Sequence, residues 1–128
     1  MTARQICRLA MGILSQTEEE SEELMEFSPG WLTILCAESL GTENRIRRQR
    51  GEPVLNAPPL IGKADMDKEL GYSEELCRIA LAYGMAAFYY ADDDNDYRAA
   101  DYRARYVNAL QEAEKAGFEN IEDVYGEG

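Results

Sequence analysis

The stretch LCRIALAYGMAAFYYADDDNDYRAADYRARYVNALQEAEK, residues 76–115, decides the predicted fold. On both sides of its acidic centre, apolar residues recur every three or four positions, the spacing that places side chains on one face of an α-helix. The two apolar faces consist of Leu76, Ile79, Ala80, Tyr83, Ala87 and Tyr90 in the first half and Ala99, Tyr102, Tyr106, Leu110 and Ala113 in the second. The stretch therefore predicts two helices joined at the acidic segment.

That acidic segment, YYADDDNDY at residues 89–97, could hold a metal ion, supply catalytic carboxylates or form a corner between two helices. A calcium loop of the EF-hand type needs glycine at its sixth position and glutamate at its twelfth. Counted from Asp92, those positions are Tyr97 and Arg103, so the pattern fails. A catalytic carboxylate pair needs surroundings that move its two pKa values apart, which four aspartates on a solvated corner lack. Because aspartate and asparagine cap helix N-termini, we interpret the segment as an αα-hairpin corner, with weak binding of a cation or basic partner left open.

A first helix is predicted from about Ala3 to Ser15, with Thr2 as its N-cap. Its apolar stripe consists of Ile6, Leu9, Ala10, Ile13 and Leu14. The glutamate-rich segment at residues 18–23 is interpreted as a solvated loop or frayed turn, with a docking strip for a basic surface as the alternative.

A second helix is predicted to begin at Ser28-Pro29 and to end at Gly51. Serine is a preferred N-cap, and proline at the first helical position loses nothing by lacking an N–H group. Glycine commonly terminates helices. The buried face of this helix is predicted to consist of Trp31, Leu32, Leu35, Cys36 and Leu40.

Residues 51–72 are predicted to form a long extended arm between the second and third helices. Three of the four prolines lie in this segment, and Pro58-Pro59 excludes a helix there. A short strand at residues 54–55 or 60–61 is compatible with its composition. Because so long a connection is unusual in a compact domain, we interpret the arm as a functional or partner-contacting segment.

The third helix is predicted to be capped by Ser73, and the fourth to run from about Tyr97 to Ala116 and to end at Gly117. The predicted fold is therefore all-α, a small bundle of about four helices in one domain at residues 1–117. Residues 118–128 are expected to form an acidic, flexible tail.

Composition agrees with one soluble globular domain. The chain has 128 residues, of which 45% are apolar and 30% are charged. Its net charge of −12 repels DNA and anionic membranes. No run approaches the ~20 apolar residues that a membrane span needs. The first 14 residues lack the apolar core and cleavage pattern of a signal peptide, so we expect a cytosolic protein.

The residue types also limit the chemistry. The chain has no histidine, which excludes Ser–His and Cys–His pairs and the common zinc sites. Cys7, Cys36 and Cys77 are widely spaced among apolar residues, which indicates buried free thiols in a reducing compartment. We therefore predict no catalytic residues, no cofactor and no metal site.

The segment RIRRQR at residues 45–50 places four arginines, Arg45, Arg47, Arg48 and Arg50, in the last turns of the second helix. One interpretation is that they complement the helix dipole and pair with glutamates of the same chain. The other is a basic spot for an acidic surface of an identical neighbour or for phosphate. Both interpretations stay open from the sequence.

Several of these motifs resemble bacteriophage and prophage head–tail connector (adaptor) proteins. The third helix carries YG-x-AA before the acidic corner, and the fourth carries Y-x3-Y-x3-L at Tyr102, Tyr106 and Leu110. The motifs E-x4-E-N-x-I-R-R-Q-R-G and P-P-L-x4-D-x-D-x-E-L-G-Y, and the opening MTARQICRLAMGIL, are also similar to this group. The resemblance covers most of the chain, up to about Lys115.

The resemblance implies a non-enzymatic structural protein that forms a ring, docks on the portal protein and joins the capsid to a tail or stopper protein. Such a protein would be found in the host cytoplasm during assembly and at the head–tail junction of the virion, with DNA passing through without specific binding. A monomer in isolation is compatible with this, because such rings often need the portal as a template. For partner contacts we select Arg45, Arg47, Arg48, Arg50, Pro58, Pro59, Leu60, Ile61 and Lys63.

Two other classes are kept as alternatives. The first is a small acidic regulatory or inhibitory module that binds a basic protein. The second is a carboxylate–metal enzyme built in a helical bundle, which the lack of histidine disfavours.

Overall fold

Helices make up most of the chain. The computed structural model describes the backbone of residues 1–126 and the side chains of residues 1–116. Within that part the α-helices are α1 (Ala3–Ile13), α2 (Glu22–Gln49), α3 (Ala82–Asp92) and α4 (Asp96–Gly126). Short 3-10 turns lie at Glu19–Ser21 and Lys63–Asp65, and a π-helical segment, Leu76–Leu81, leads directly into α3. The prediction of an all-α bundle of about four helices is therefore confirmed.

The N-terminus of α1 is capped by Thr2, as the sequence predicts. The Thr2 hydroxyl accepts a hydrogen bond from the Gln5 backbone N–H at 3.2 Å, and the Gln5 side chain accepts one from the Thr2 N–H at 2.9 Å. This reciprocal pair is a capping box. Of the predicted apolar stripe, Ile6 and Ala10 are buried, but Leu9 is 37% exposed. The prediction for Leu9 is wrong, because the buried face of α1 is centred on Ile6, Cys7 and Ala10 and extends to Met11 on the edge away from Leu9.

The predicted start of the second helix at Ser28-Pro29 is also wrong. Helix α2 begins six residues earlier, at Glu22, and Pro29 lies inside it. A proline in a helix removes the hydrogen bond to the carbonyl four residues earlier, here that of Met25. The hydroxyl of Ser28 donates to this same carbonyl at 2.9 Å, so the helix continues through the proline. The segment at residues 18–23 is accordingly a 3-10 turn and the beginning of α2.

The other end of α2 agrees with the prediction. The helix ends at Gln49, and Gly51 adopts a positive φ of 71°, the left-handed conformation that terminates helices. The predicted inner face is buried at Leu32, Leu35 and Cys36, and half-buried at Trp31 and Leu40.

The third helix deviates from the α-helical pattern at its start. In the π-helical segment Leu76–Leu81 each turn takes more residues than in an α-helix. The 3.6-residue periodicity therefore assigns the wrong side to Ile79, which is 49% exposed, whereas Leu76 and Ala80 are buried. The predicted face is otherwise correct.

The acidic segment forms the corner between α3 and α4. Asp94 has a positive φ of 55°, and the side chain of Asn95 accepts a hydrogen bond from the Arg98 N–H at 3.2 Å. Asn95 thus caps α4. The prediction of a capped αα-hairpin corner is confirmed.

Helix α4 continues past Gly117 to Gly126, so the predicted helix end is wrong. A glycine inside a helix costs only about 1 kcal/mol relative to alanine, and it does not force a termination. The tail at residues 118–128 is predicted to be flexible. Its side chains lie outside the described ones, and residues 127–128 lie outside the described residues altogether. The flexibility of the tail therefore stays a prediction.

The core lies where α1, α2, the π-helical segment, α3 and α4 meet. Its largest fully buried side chains include Tyr106, Ile6, Leu24, Leu32, Leu35, Ile46, Leu76, Leu81 and Met85. Cys7, Cys36 and Cys77 are all buried free thiols, as predicted. In the part of the chain that the structure describes, no helix is both long and apolar enough to cross a membrane.

Candidate interaction surfaces on α2, the arm and the α3–α4 groove

Glu43 and Arg47 form a polar hub that ties α2 to both ends of the arm. The Glu43 side chain is 1% exposed, and its carboxylate accepts hydrogen bonds from Arg47 Nε at 3.0 Å, from the Ser73 N–H at 2.9 Å and from the Ser73 hydroxyl at 3.0 Å. Arg47 also donates to the carbonyl of Pro53, at 3.0 Å, and to that of Gly71. Because the buried Glu43 carboxylate must be paired and hydrogen-bonded, Arg47, which is 17% exposed, both neutralises it and ties α2 to the arm.

The other three arginines of the RIRRQR segment differ in their surroundings. Arg45 pairs with Glu114 of α4 at 2.7 Å, and Arg50 pairs with Glu75 ahead of α3. The side chain of Arg48 is exposed and makes no ion pair or hydrogen bond within the described residues. Pairing within the chain thus accounts for three of the four arginines, and Arg48 is the one without a partner among the described residues.

Two side chains of α2 clasp the arm. The side chain of Asn44 accepts from the Leu55 N–H at 2.8 Å and donates to the Leu55 carbonyl at 3.0 Å. The hydroxyl of Thr33 accepts from the Ile61 N–H at 3.0 Å. Thr33 and Asn44 are 11 residues apart, about three turns, so they lie on one side of α2 and the arm runs antiparallel to it.

These clasps explain why the suggested strands at residues 54–55 and 60–61 are wrong. The backbone groups of Leu55 and Ile61 bond to helix side chains, and the described residues contain only an isolated bridge between Thr2 and Glu69. Sequence reasoning missed both clasping residues. The only available signal was two polar residues about three helical turns apart on α2.

Two exposed side chains in the middle of the arm are those of Leu60 and Lys63, which we call the Leu60 knob. Pro58, Pro59 and Ile61 are half-buried, whereas Leu60 is 84% exposed. Lys63 is exposed and its ammonium group has no ion pair or hydrogen bond within the described part of the chain. The Leu60 knob therefore presents one apolar and one cationic side chain to solvent.

The acidic segments at residues 18–26 and 92–96 converge at the beginning of α2. The carboxyl of Glu23 shares a hydrogen bond with Asp92, which raises the pKa of Glu23, and the nearby charges of Asp92, Asp93 and Glu26 raise it further. Among the described residues, no group of three or more acidic or cysteine side chains is placed to hold a metal ion. We call this region the acidic end of α2.

A groove of about 280 Å³ lies between α3 and α4 near their corner. It is lined by Gly84, Ala87, Phe88 and Ala91 on α3 and by Ala99, Ala100 and Arg103 on α4. The ring of Phe88 stacks on Trp31 of α2 with the centroids 5.8 Å apart, and Trp31 stacks on the 45%-exposed Phe27 at the same distance. We call this apolar surface the Phe88 groove.

One wall of the Phe88 groove is held by an ion pair. Arg103 donates to both carboxylate oxygens of Glu38 on α2, at 2.9 and 2.8 Å, and this pairing lowers the pKa of Glu38. The guanidinium also lies over the buried ring of Tyr106, 4.9 Å from its centroid. These contacts join α4 to α2 beside the groove.

Of the predicted contact residues, the structure leaves Arg48 and Lys63 without an ion pair within the described residues and leaves Leu60 84% exposed. It draws Arg45, Arg47 and Arg50 into ion pairs and half-buries Pro58, Pro59 and Ile61. The Phe88 groove was not predicted, although YG-x-AA and the alanines after the corner are the small residues that make it. Comparisons with protein-family models, with curated proteins and with solved structures found no match for this chain.

Proposed function

We propose that this chain is a non-enzymatic structural protein, a phage or prophage head–tail connector (adaptor). In this proposal copies of the chain form a ring that docks on the portal protein and receives a tail or stopper protein. Support comes from the motifs that resemble this group, from the helical body and from the arm clasped along α2.

The observation that carries the proposal is the separation of charge along α2. Ten carboxylates lie in residues 18–26 and 92–96, which meet at the beginning of α2. The arginine segment lies at the other end of this 28-residue helix, which is roughly 42 Å long. The two ends of the molecule therefore offer surfaces of different chemistry.

A connector needs two such surfaces. A carboxylate-rich end that faces the channel repels the phosphates of passing DNA, so that DNA slides without sticking. At the opposite end, Arg48 suits an acidic surface on a neighbouring copy or on the portal. The polar residues described above serve caps, ion pairs and clasps, which is the use expected of a structural protein.

Light scattering of the purified chain, alone and mixed with portal rings from the same phage or prophage, tests the proposal. We expect a complex of defined mass with several copies of this chain on each portal ring. Arg48→Glu should weaken that complex, and Arg78→Glu is the matched control because Arg78 pairs with Glu74 on another surface. Absence of any complex across the range of salt concentrations would overturn the proposal.

A small acidic module that binds a basic protein is the second candidate, and the convergence of carboxylates around Glu23 and Asp92 favours it. This candidate predicts a stable monomer that ignores the portal and binds a basic partner through its acidic end. Asp92→Asn together with Asp93→Asn would then abolish binding, whereas a connector would still dock on the portal.

A further inference from the structure

We propose that the Leu60 knob of one copy inserts into the Phe88 groove of a second copy, and that this contact repeats around the ring. The inference rests on the proposed function and names the subunit contact that it requires.

The knob is already shaped for insertion. Leu60 is 84% exposed, and it projects from a backbone that two neighbouring prolines and the Thr33–Ile61 clasp hold in place. A side chain that is presented by a fixed backbone loses little conformational freedom when it docks.

The groove matches an aliphatic side chain. Its floor is formed by glycine and alanine residues of α3 and α4, and the ring of Phe88 forms an apolar wall. Its volume of about 280 Å³ has room for a branched side chain such as that of Leu60. The stacked rings of Trp31 and Phe27 extend the apolar surface around the opening.

The two features lie on opposite flanks of α2. Thr33 clasps the arm, whereas Trp31 stacks on Phe88 at the groove. Residues two positions apart on an α-helix point about 200° apart, nearly in opposite directions. Knob and groove therefore form a heterologous contact, in which different patches of two copies meet, and contacts of this kind build rings when the rotation closes.

Charge favours the same pairing. Lys63 stands beside Leu60 in the knob without a partner within the described residues. The groove adjoins the acidic corner, because Ala91 lines it and Asp92 and Asp93 follow directly in the chain. An ammonium group next to carboxylates steers the association and makes it sensitive to salt.

Disulfide cross-linking between two singly substituted chains tests the contact. Leu60→Cys is mixed with Ala100→Cys, which lies in the Phe88 groove, and separately with Ile79→Cys as the control. Ile79 lines a groove on the other side of α4, together with Arg105, which is two positions from Arg103. The native thiols should not interfere, since burial raises the pKa of Cys36 and Cys77 to about 12 and that of Cys7 as well.

We expect the Leu60→Cys and Ala100→Cys mixture to give several times more cross-linked dimer than the control mixture. A chain that carries both substitutions should give a ladder of multimers. Equal yields in the two mixtures, both in the absence and in the presence of portal rings, would overturn the inference. In the unmodified background Leu60→Ser should also reduce self-association at high concentration, and Val54→Ser, elsewhere on the arm, should not.

Failure of this contact is distinguishable from failure of the proposed function. Portal complexes of defined mass combined with equal cross-linking yields would overturn the knob-in-groove contact and leave the connector proposal standing. Selective cross-linking without any portal complex would support the contact and overturn the connector proposal.

Discussion

The hydroxyl of Ser28 donates a hydrogen bond to the backbone carbonyl of Met25 at 2.9 Å. In an uninterrupted helix this carbonyl would accept from the backbone nitrogen of residue 29, which is a proline and has no hydrogen to donate. The preceding serine thus replaces the missing donor. This hydrogen bond allows α2 to continue without interruption from the acidic end to the arginine segment.

Ser28→Ala is therefore expected to destabilise the protein by about 1–2 kcal/mol, because the Met25 carbonyl loses its partner beside a buried side chain. Urea unfolding measures this loss. In a Pro29→Ala background the restored N–H group can serve the same carbonyl, so Ser28→Ala should cost clearly less there. Equal losses in the two backgrounds would contradict the replacement argument.

The Glu43 hub should be far more sensitive to mutation than a surface ion pair. Glu43→Ala leaves the Arg47 guanidinium and the Ser73 N–H without their shared acceptor, so we expect a loss of about 3–5 kcal/mol. The control is Glu114→Ala, which breaks the more exposed pair with Arg45 and should cost about 1 kcal/mol or less. Denaturant titration of both variants checks the contrast, and a small effect of Glu43→Ala would show that the arm does not depend on the hub.

Stability at the acidic end should depend on pH through Glu23. The folded-state pKa of Glu23 is raised because of its hydrogen bond with Asp92, so the folded protein holds this proton more tightly than the unfolded chain does. Folding is therefore favoured below the ordinary glutamate pKa near 4.5, and this contribution is lost as pH rises through the raised value.

Glu23→Gln should accordingly raise the melting temperature at pH 7, and the gain should shrink when salt is added. Glu19→Gln, on the neighbouring 3-10 turn, is the matched control. Thermal melts of both variants at pH 4 and pH 7 make the comparison. An equal gain from both substitutions would mean that net charge is responsible and that the Glu23–Asp92 proximity is not.

Local signals explain what the sequence could predict. The Thr2 cap, the Gly51 stop and the Asn95 corner depend on residues within one turn of each other, and all three were predicted from the sequence. The Ser28-Pro29 pair led to a wrong prediction of the helix start. Serine followed by proline is typical of a helix N-terminus, but here the serine hydroxyl replaces the missing N–H group of a proline inside the helix. The clasp at Thr33 and Asn44 could not be predicted, because its partners lie 28 and 11 residues away.

The Glu43 hub could be predicted from the sequence only in part. The spacing of Cys36, Ser39, Glu43 and Ile46 at three and four residues places Glu43 on the inner face of α2, which was a usable signal. The sequence did not indicate that the partner of Glu43 is Ser73, which lies 30 residues away across the arm. The Phe88 groove depends in the same way on two helices meeting, so its small residues indicated close packing but not an open surface.

The close approach of α3 to α2 depends on Gly84. A Cβ atom at this position would lie 2.5 Å from one methyl group of Leu35 and 2.9 Å from the other, and Leu35 is fully buried. Gly84→Ala is therefore expected to destabilise the protein by about 1–3 kcal/mol through overpacking. In α2, Gly30 has no neighbouring atom within 4 Å of an added Cβ, so Gly30→Ala should instead stabilise by roughly 0.4–1 kcal/mol.

Shortening Leu35 should relieve the clash, so Gly84→Ala combined with Leu35→Val should lose less than the sum of the two single losses. Urea unfolding of the single and double variants gives this coupling. Because Gly84 also lines the Phe88 groove, the cross-linking yield between Leu60→Cys and Ala100→Cys chains should fall when Gly84→Ala is present. If the losses of unfolding free energy from Gly84→Ala and Leu35→Val are additive, the added methyl group is accommodated by separation of α2 and α3. The shape of the Phe88 groove would then not depend on their close contact.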